Sequence, residues 1–165
     1  MKPIDSTAEV LAYKVLNRLT DKIWIDWAYN MLLAGIETES LLILAGMEEP
    51  LDYFEMRSLT EKVFDELGLA HSNKNEILKL YASYLIKQNL DGKIKSSLVL
   101  SNFKDIYIEL DYYPPLSDFY DFYFAWKDLQ YDTVQWYIDG VDRANIDQVI
   151  DEYFREWISK NPIVW

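Results

Sequence analysis

The chain has 165 residues, of which half are hydrophobic and 16% aromatic, and it carries a formal net charge of −12. It has no cysteine, so disulfides, thiolate zinc sites and thiol catalysis are excluded. Its aromatic content excludes a disordered chain, and its charge opposes nucleic acid and anionic membrane.

The spacing of apolar residues is helical almost throughout. Ser6 and Glu9 have the spacing of a capping box, ahead of a stripe of Ala8, Leu11, Ala12, Val15, Leu16 and Leu19. A second helix is expected from Asp21 to Ala34, with Trp24, Trp27, Ala28, Met31 and Leu32 on one face. Ile23, Ile25, Tyr29 and Leu33 lie elsewhere on it, so it reads as central. Gly35 is placed to end it. Thr38 can cap a short helix, ESLLILAG, whose apolar run also fits a buried strand; its Leu and Ala content favours helix. Pro50 suits a helix start, with Met56, Leu59, Val63 and Leu67 inward and Gly68 as the stop.

Asn73 or Asn75 opens the next helix, with Ile77, Leu78, Tyr81, Tyr84 and Leu85 on its stripe, and NLDGK at 89–93 is a turn. A sixth helix is expected over about 94–110, although IYIEL at its end also alternates like a strand. Pro114 and Pro115 break the chain, and Ser117 can cap the helix that follows. In the last helix Ile146, Val149, Ile150, Tyr153, Phe154, Trp157 and Ile158 share one face behind Asn145 as N-cap. The expected fold is all-α, a single compact domain over residues 1–165 with about eight helices; stacked helical hairpins would read the same way.

Few residues stand in patterns that support catalysis or cofactor binding. The one histidine, His71, sits between two helices in LAHSNKNE and reads as a solvated loop residue, which excludes mechanisms needing a histidine pair or a Ser–His dyad. The five glycines are isolated, so no phosphate-cradling loop exists and no cofactor is expected. Carboxylates are abundant, and Asp147 with Asp151 or Asp118 with Asp121 could work as pairs. No helical E-x-x-H pattern accompanies them, and DGVDRANID at 139–147 has its glycine in the wrong place for a calcium loop. It reads as a turn and a helix cap. No catalytic or metal-binding residue is therefore assigned.

Charge is concentrated late in the chain: residues 105–156 carry thirteen acids and three bases. Within them lies FYDFYFAWKDLQYDTVQWY, residues 119–137. At about 100° per residue, Asp118, Asp121, Asp128 and Asp132 fall on one arc of about 80°. Leu116, Phe119, Tyr120, Tyr123, Phe124, Trp126 and Tyr131 fall on a wide arc that reads as core, and Phe122 and Leu129 lie beside the acids. The candidate partner-binding residues are Asp118, Asp121, Phe122, Asp128 and Asp132: acids next to an aromatic suit a basic protein partner.

Two segments, WAYNMLLAGIETESLLILAGMEEPLDYFEMRSLTEKVFDELGL (27–69) and VQWYIDGVDRANIDQVIDEYFREWI (134–158), resemble a group of small, acidic, helical bacterial proteins that are mostly uncharacterised. In class and charge such chains are similar to immunity proteins, which neutralise a toxin by binding it. The resemblance implies no catalytic residue. The expectation is thus a non-enzymatic acidic binding module, with a carboxylate-based metal enzyme or a structural subunit as alternatives. The longest apolar run, LLILAGM at 41–47, is too short to span a membrane, and the N-terminal segment lacks an apolar leader, so a cytoplasmic location is expected.

Overall fold

The structure is a computed structural model that describes residues 2–18 and 21–165. It is all-α, with eight α-helices among the described residues. The chain divides into two compact units, Met1–Tyr84 with Ile163–Trp165, and Leu85–Pro162.

The first unit holds α1 (Thr7–Val15), α2 (Lys22–Leu33), α3 (Glu39–Ala45), α4 (Tyr53–Glu66) and the start of α5 (Lys74–Leu90). Ser6 stands at the N-cap of α1, but its backbone is already helical and its side chain caps nothing, so no capping box forms. The stripe behind it buries Ala8, Leu11, Ala12 and Leu16, while Val15 is half-buried and Leu19 lies outside the described residues. Asp21 caps α2 by accepting from the Ile23 N–H at 2.9 Å. Gly35, at φ +79°, closes it as the Ile36 N–H returns to the Met31 carbonyl at 3.0 Å.

α2 is amphipathic rather than central. Trp24, Trp27, Ala28 and Met31 are buried, whereas Tyr29 and Leu33 face solvent. The apolar run 41–45 is helical: Thr38 Oγ1 accepts from the Leu41 N–H at 3.3 Å, and Ser40 is fastened to α4 by donating from Oγ to Glu66 at 2.7 Å. α4 begins three residues after Pro50, where Asp52 accepts from the Glu55 N–H at 2.8 Å; a carboxylate can satisfy an orphan donor that proline cannot. Phe64 of α4 packs against Trp24 and Trp27 with ring centroids 5.7 and 5.9 Å apart. Burying each such ring stabilises by about 1.5–3 kcal/mol.

The second unit holds the end of α5, α6 (Ser96–Glu109), α7 (Ser117–Tyr131) and α8 (Ile146–Lys160). IYIEL is helical up to Glu109: Ile106 is buried and Ile108 exposed. α6 then stops at Asp111 and Tyr112, both at positive φ, and the Tyr113 N–H returns to the Tyr107 carbonyl at 3.2 Å. Pro114–Leu116 form a 3-10 turn leading into α7, with Leu116 rather than Ser117 at the N-cap. Phe119 joins the layers of this unit, lying 4.9 Å from Phe103 of α6 and 5.1 Å from Trp157 of α8.

Asn145 occupies the N-cap of α8 but its side chain turns backwards, with Oδ1 accepting from the Asp142 N–H at 2.9 Å. Asp142 Oδ1 accepts in return from the Ala144 and Asn145 N–H groups at 2.8 and 3.1 Å. DGVDRANID is therefore a side-chain-locked turn ahead of a helix.

Candidate protein-interaction surface

α7 buries a different face from the one its aromatic count suggests. Phe119, Phe122, Ala125 and Leu129 are the buried side chains, at steps of three or four that Ala125 completes. The arc richest in rings is only partly covered: Tyr120, Tyr123, Phe124 and Trp126 are half-buried, and Tyr131 is 85% exposed. Packing on α6 and α8 selects the face, and it selects the one next to the acids.

Phe122 is consequently a core residue. It is 8% exposed and packs on Tyr153 at a tilt, with centroids 4.8 Å apart, so it does not stand at the edge of the surface as the sequence suggested. Asp118 is exposed and accepts from the Tyr153 hydroxyl at 3.2 Å. Burial, and then the Asp118 charge, raise the Tyr153 phenol above its ordinary range. Asp121 is half-buried; burial first and the neighbouring Asp118 charge second hold its carboxyl above the usual value.

Asp128 is half-buried and still on the helix. Asp132 is not: its backbone is extended, at φ −126° and ψ 168°, and its carboxylate accepts from the Thr133 N–H at 2.6 Å. The stripe is thus three helical acids plus one that ends the helix.

The aromatic border lies on the other side of the acids, where the sequence did not place it. Tyr137 stacks on Phe124 at 5.6 Å and 28°, and Tyr120 packs on Phe124 at 4.7 Å. The Tyr137 phenol is raised by partial burial first and then by the charges of Asp128, Tyr120 and Asp121, which puts this ring beside the carboxylates. Trp136, at 90% exposure, is the most exposed large hydrophobic residue among the described residues.

Gln135 holds this loop. Its side chain is buried, donates from Nε2 to the carbonyls of Ile138 and of Val141 (2.9 Å to the latter), and accepts at Oε1 from the N–H groups of Tyr137 and Ile138 at 2.8 and 2.9 Å. With every polar atom used, Gln135 fixes where Trp136 and Tyr137 project. Nothing in the periodicity of residues 132–137 marks it, because its partners are all local backbone groups of an irregular segment.

Tyr123 and Trp126 wall a shallow concavity of about 450 Å³ with Leu98, Lys95, Ser97 and Ser101. It is open and mostly apolar, and Lys104 lies over the Tyr123 ring at 4.5 Å. In the first unit His71 is bound at both nitrogens rather than solvated. Its Nε2 meets Asp65 at 2.9 Å, its Nδ1 meets Lys14 Nζ, and its ring lies 5.5 Å from Phe64.

Among the described residues no three His, Cys, Asp or Glu side chains converge as a metal site would require. Asp151 is instead engaged by Arg155 Nε at 2.7 Å. No helix among them is long and apolar enough to cross a membrane. No protein-family profile matches the chain, and no curated protein or solved structure is significantly similar to it.

Proposed function

We propose that this protein is a non-enzymatic binding module for a basic protein partner, engaged through α7 and the loop that follows it. Its most concrete form is an immunity-type inhibitor of a basic toxin domain. The observation that carries the reading is the exposure of Tyr131 and Trp136, at 85% and 90%, in the same short segment as Asp128 and Asp132. Large exposed rings next to carboxylates cost solubility and are what a protein interface uses as desolvated anchors. The acidic excess of residues 105–156 supplies charge complementarity to Lys and Arg, which accelerates encounter and makes it salt-sensitive.

In this reading Asp118, Asp121, Asp128 and Asp132 pair with basic groups around the partner's own site. Trp136, Tyr131 and Tyr137 form the apolar centre, and Phe122 supports them from within.

The test uses three baits on native-host extract: the natural chain, a double reversal Asp128→Lys and Asp132→Lys, and Trp136→Ala. A basic protein retained by the first bait and lost from both variants, with retention falling as salt rises, is the expected result. An identical set of bound proteins on all three baits would overturn the reading.

A further inference from the structure

The shallow cavity between α6 and α7 lies within the second unit and holds none of the acids of the partner surface. Its origin is a mismatch of side-chain size. Ser97 and Ser101 stand one turn apart on α6, and Tyr123 and Trp126 stand one turn apart on α7. Two small side chains opposite two large rings leave space that neither helix fills. Leu98, 57% exposed, and Lys95, immediately before α6, complete the lining. The volume of about 450 Å³ is that of a small-molecule site, as is the make-up: apolar and aromatic walls with a few polar groups.

Those polar groups are uncommitted. Among the described residues, the side chains of Lys95, Ser97 and Ser101 make no hydrogen bond or ion pair within the chain. Lys104 differs: it lies over the Tyr123 ring at 4.5 Å and is bonded to Asp105 at 2.5 Å.

The lining selects the ligand. No carboxylate belongs to it, although the chain holds 28 acids against 16 bases. With Lys95 in the lining and Lys104 already over one ring, an organic cation is repelled. A neutral ring gains nothing from Lys95, whereas an anionic one gains a charge-assisted bond. The Tyr123 and Trp126 centroids are 6.1 Å apart, with the rings inclined at 43°. A ring clamped between two others needs roughly 7 Å, so a flat ligand rests on the ring surface rather than between the rings.

We propose that this cavity binds a small aromatic carboxylic acid. Its ring rests on Trp126 and Leu98, and its carboxylate accepts from the Lys95 ammonium and the Ser97 hydroxyl. Ser101 keeps the groove open because its side chain is small. The site goes beyond the proposed partner surface and depends on none of its residues.

The experiment follows the tryptophan indole N–H resonances of the full chain by NMR, with that of Trp126 assigned by its loss in Trp126→Phe. The probe is 2-naphthoate, titrated at constant ionic strength beside its neutral analogue 2-naphthalenemethanol and the non-aromatic acid cyclohexanecarboxylate. The expected result is a saturable shift of the Trp126 resonance with 2-naphthoate, at an affinity about fivefold above that of either analogue. Lys95→Gln, a change at an exposed side chain that leaves the fold intact, weakens 2-naphthoate about fivefold. Ser101→Leu fills the groove from α6 and abolishes the shift. The proposal fails if 2-naphthoate leaves the Trp126 resonance unmoved, if Lys95→Gln binds it as the natural chain does, or if either analogue binds as tightly.

Discussion

Trp27 donates its indole N–H to the Thr7 hydroxyl at 3.0 Å, and Thr7 in turn points its own proton at Met31 Sδ at 3.8 Å. Three residues earlier on α2, the equally buried Trp24 makes no such bond. Two indoles on one helix thus have opposite fates, one bonded within the fold and one buried without an acceptor among the described residues. Thr7 is fully buried, so Thr7→Val keeps the shape and removes the acceptor. Stability falls by about 1–3 kcal/mol, the cost of an orphaned buried donor. Urea unfolding monitored by tryptophan fluorescence measures it, and an unchanged midpoint would refute it.

Phe122 and Trp136 are expected to behave in opposite ways. Phe122→Ala removes a ring packed against Tyr153 in the core of the second unit and lowers stability by about 3–5 kcal/mol. Trp136→Ala changes stability by less than about 0.5 kcal/mol because the side chain is almost wholly in solvent. Against the partner, Trp136→Ala costs about 2 kcal/mol or more of affinity. Thermal unfolding of both variants, with titration calorimetry of the second, separates folding from binding.

Gln135→Glu tests the loop. It exchanges an Nε2 that donates to two carbonyls for a carboxylate oxygen that repels them, inside a buried site. Local opening of residues 135–141 follows, at about 1–3 kcal/mol for the donors lost. Faster amide exchange of Tyr137 and Ile138, whose N–H groups now bond to Gln135 Oε1, is the expected readout. Exchange as slow as in the natural chain would show that the side chain does not hold the loop.

Asp121 predicts a pH dependence with a definite sign. Its folded carboxyl titrates above the ordinary value of 3.8, through burial and then through the Asp118 charge. The folded state therefore binds this proton more tightly than the unfolded one. The stabilisation is fully present below the unfolded value and is lost as pH rises through the raised folded one. At neutral pH the ionised group is a net cost, and Asp121→Asn raises the melting temperature there. The gap between variant and natural chain narrows on acidification towards pH about 4. A gap that is constant with pH would contradict the assignment.

Much of the fold was readable from residue types. Gly35 and Gly68 mark the ends of α2 and α4 because both stops require positive φ. Thr38 carries the cap expected of it. Ser6 and Asn145 show the limit of such reading: each stands in the cap position, but the backbone of the preceding turn decides whether its oxygen faces the orphan donors. Of the candidate surface, Asp118, Asp121 and Asp128 lie on α7 as the periodicity placed them. Asp132 was placed one step too far along the helix, since nothing local announces that the helix ends at Tyr131.

By itself the sequence determined what each helix could bury, where helices could start and stop, and where the negative charge lies. All of these are local: spacing at 3.6 residues per turn, backbone freedom at glycine, and the sum of ionised groups. Only tertiary structure decided which face of α7 is inside. Both candidate faces carry enough apolar surface, and the choice is made by Phe103, Tyr153 and Trp157 on other helices. The same holds for a small cavity of the first unit: Lys14, Arg18, Trp24 and Arg57 are ordinary residues at ordinary spacings, and they line it only because α1, α2 and α4 bring them together.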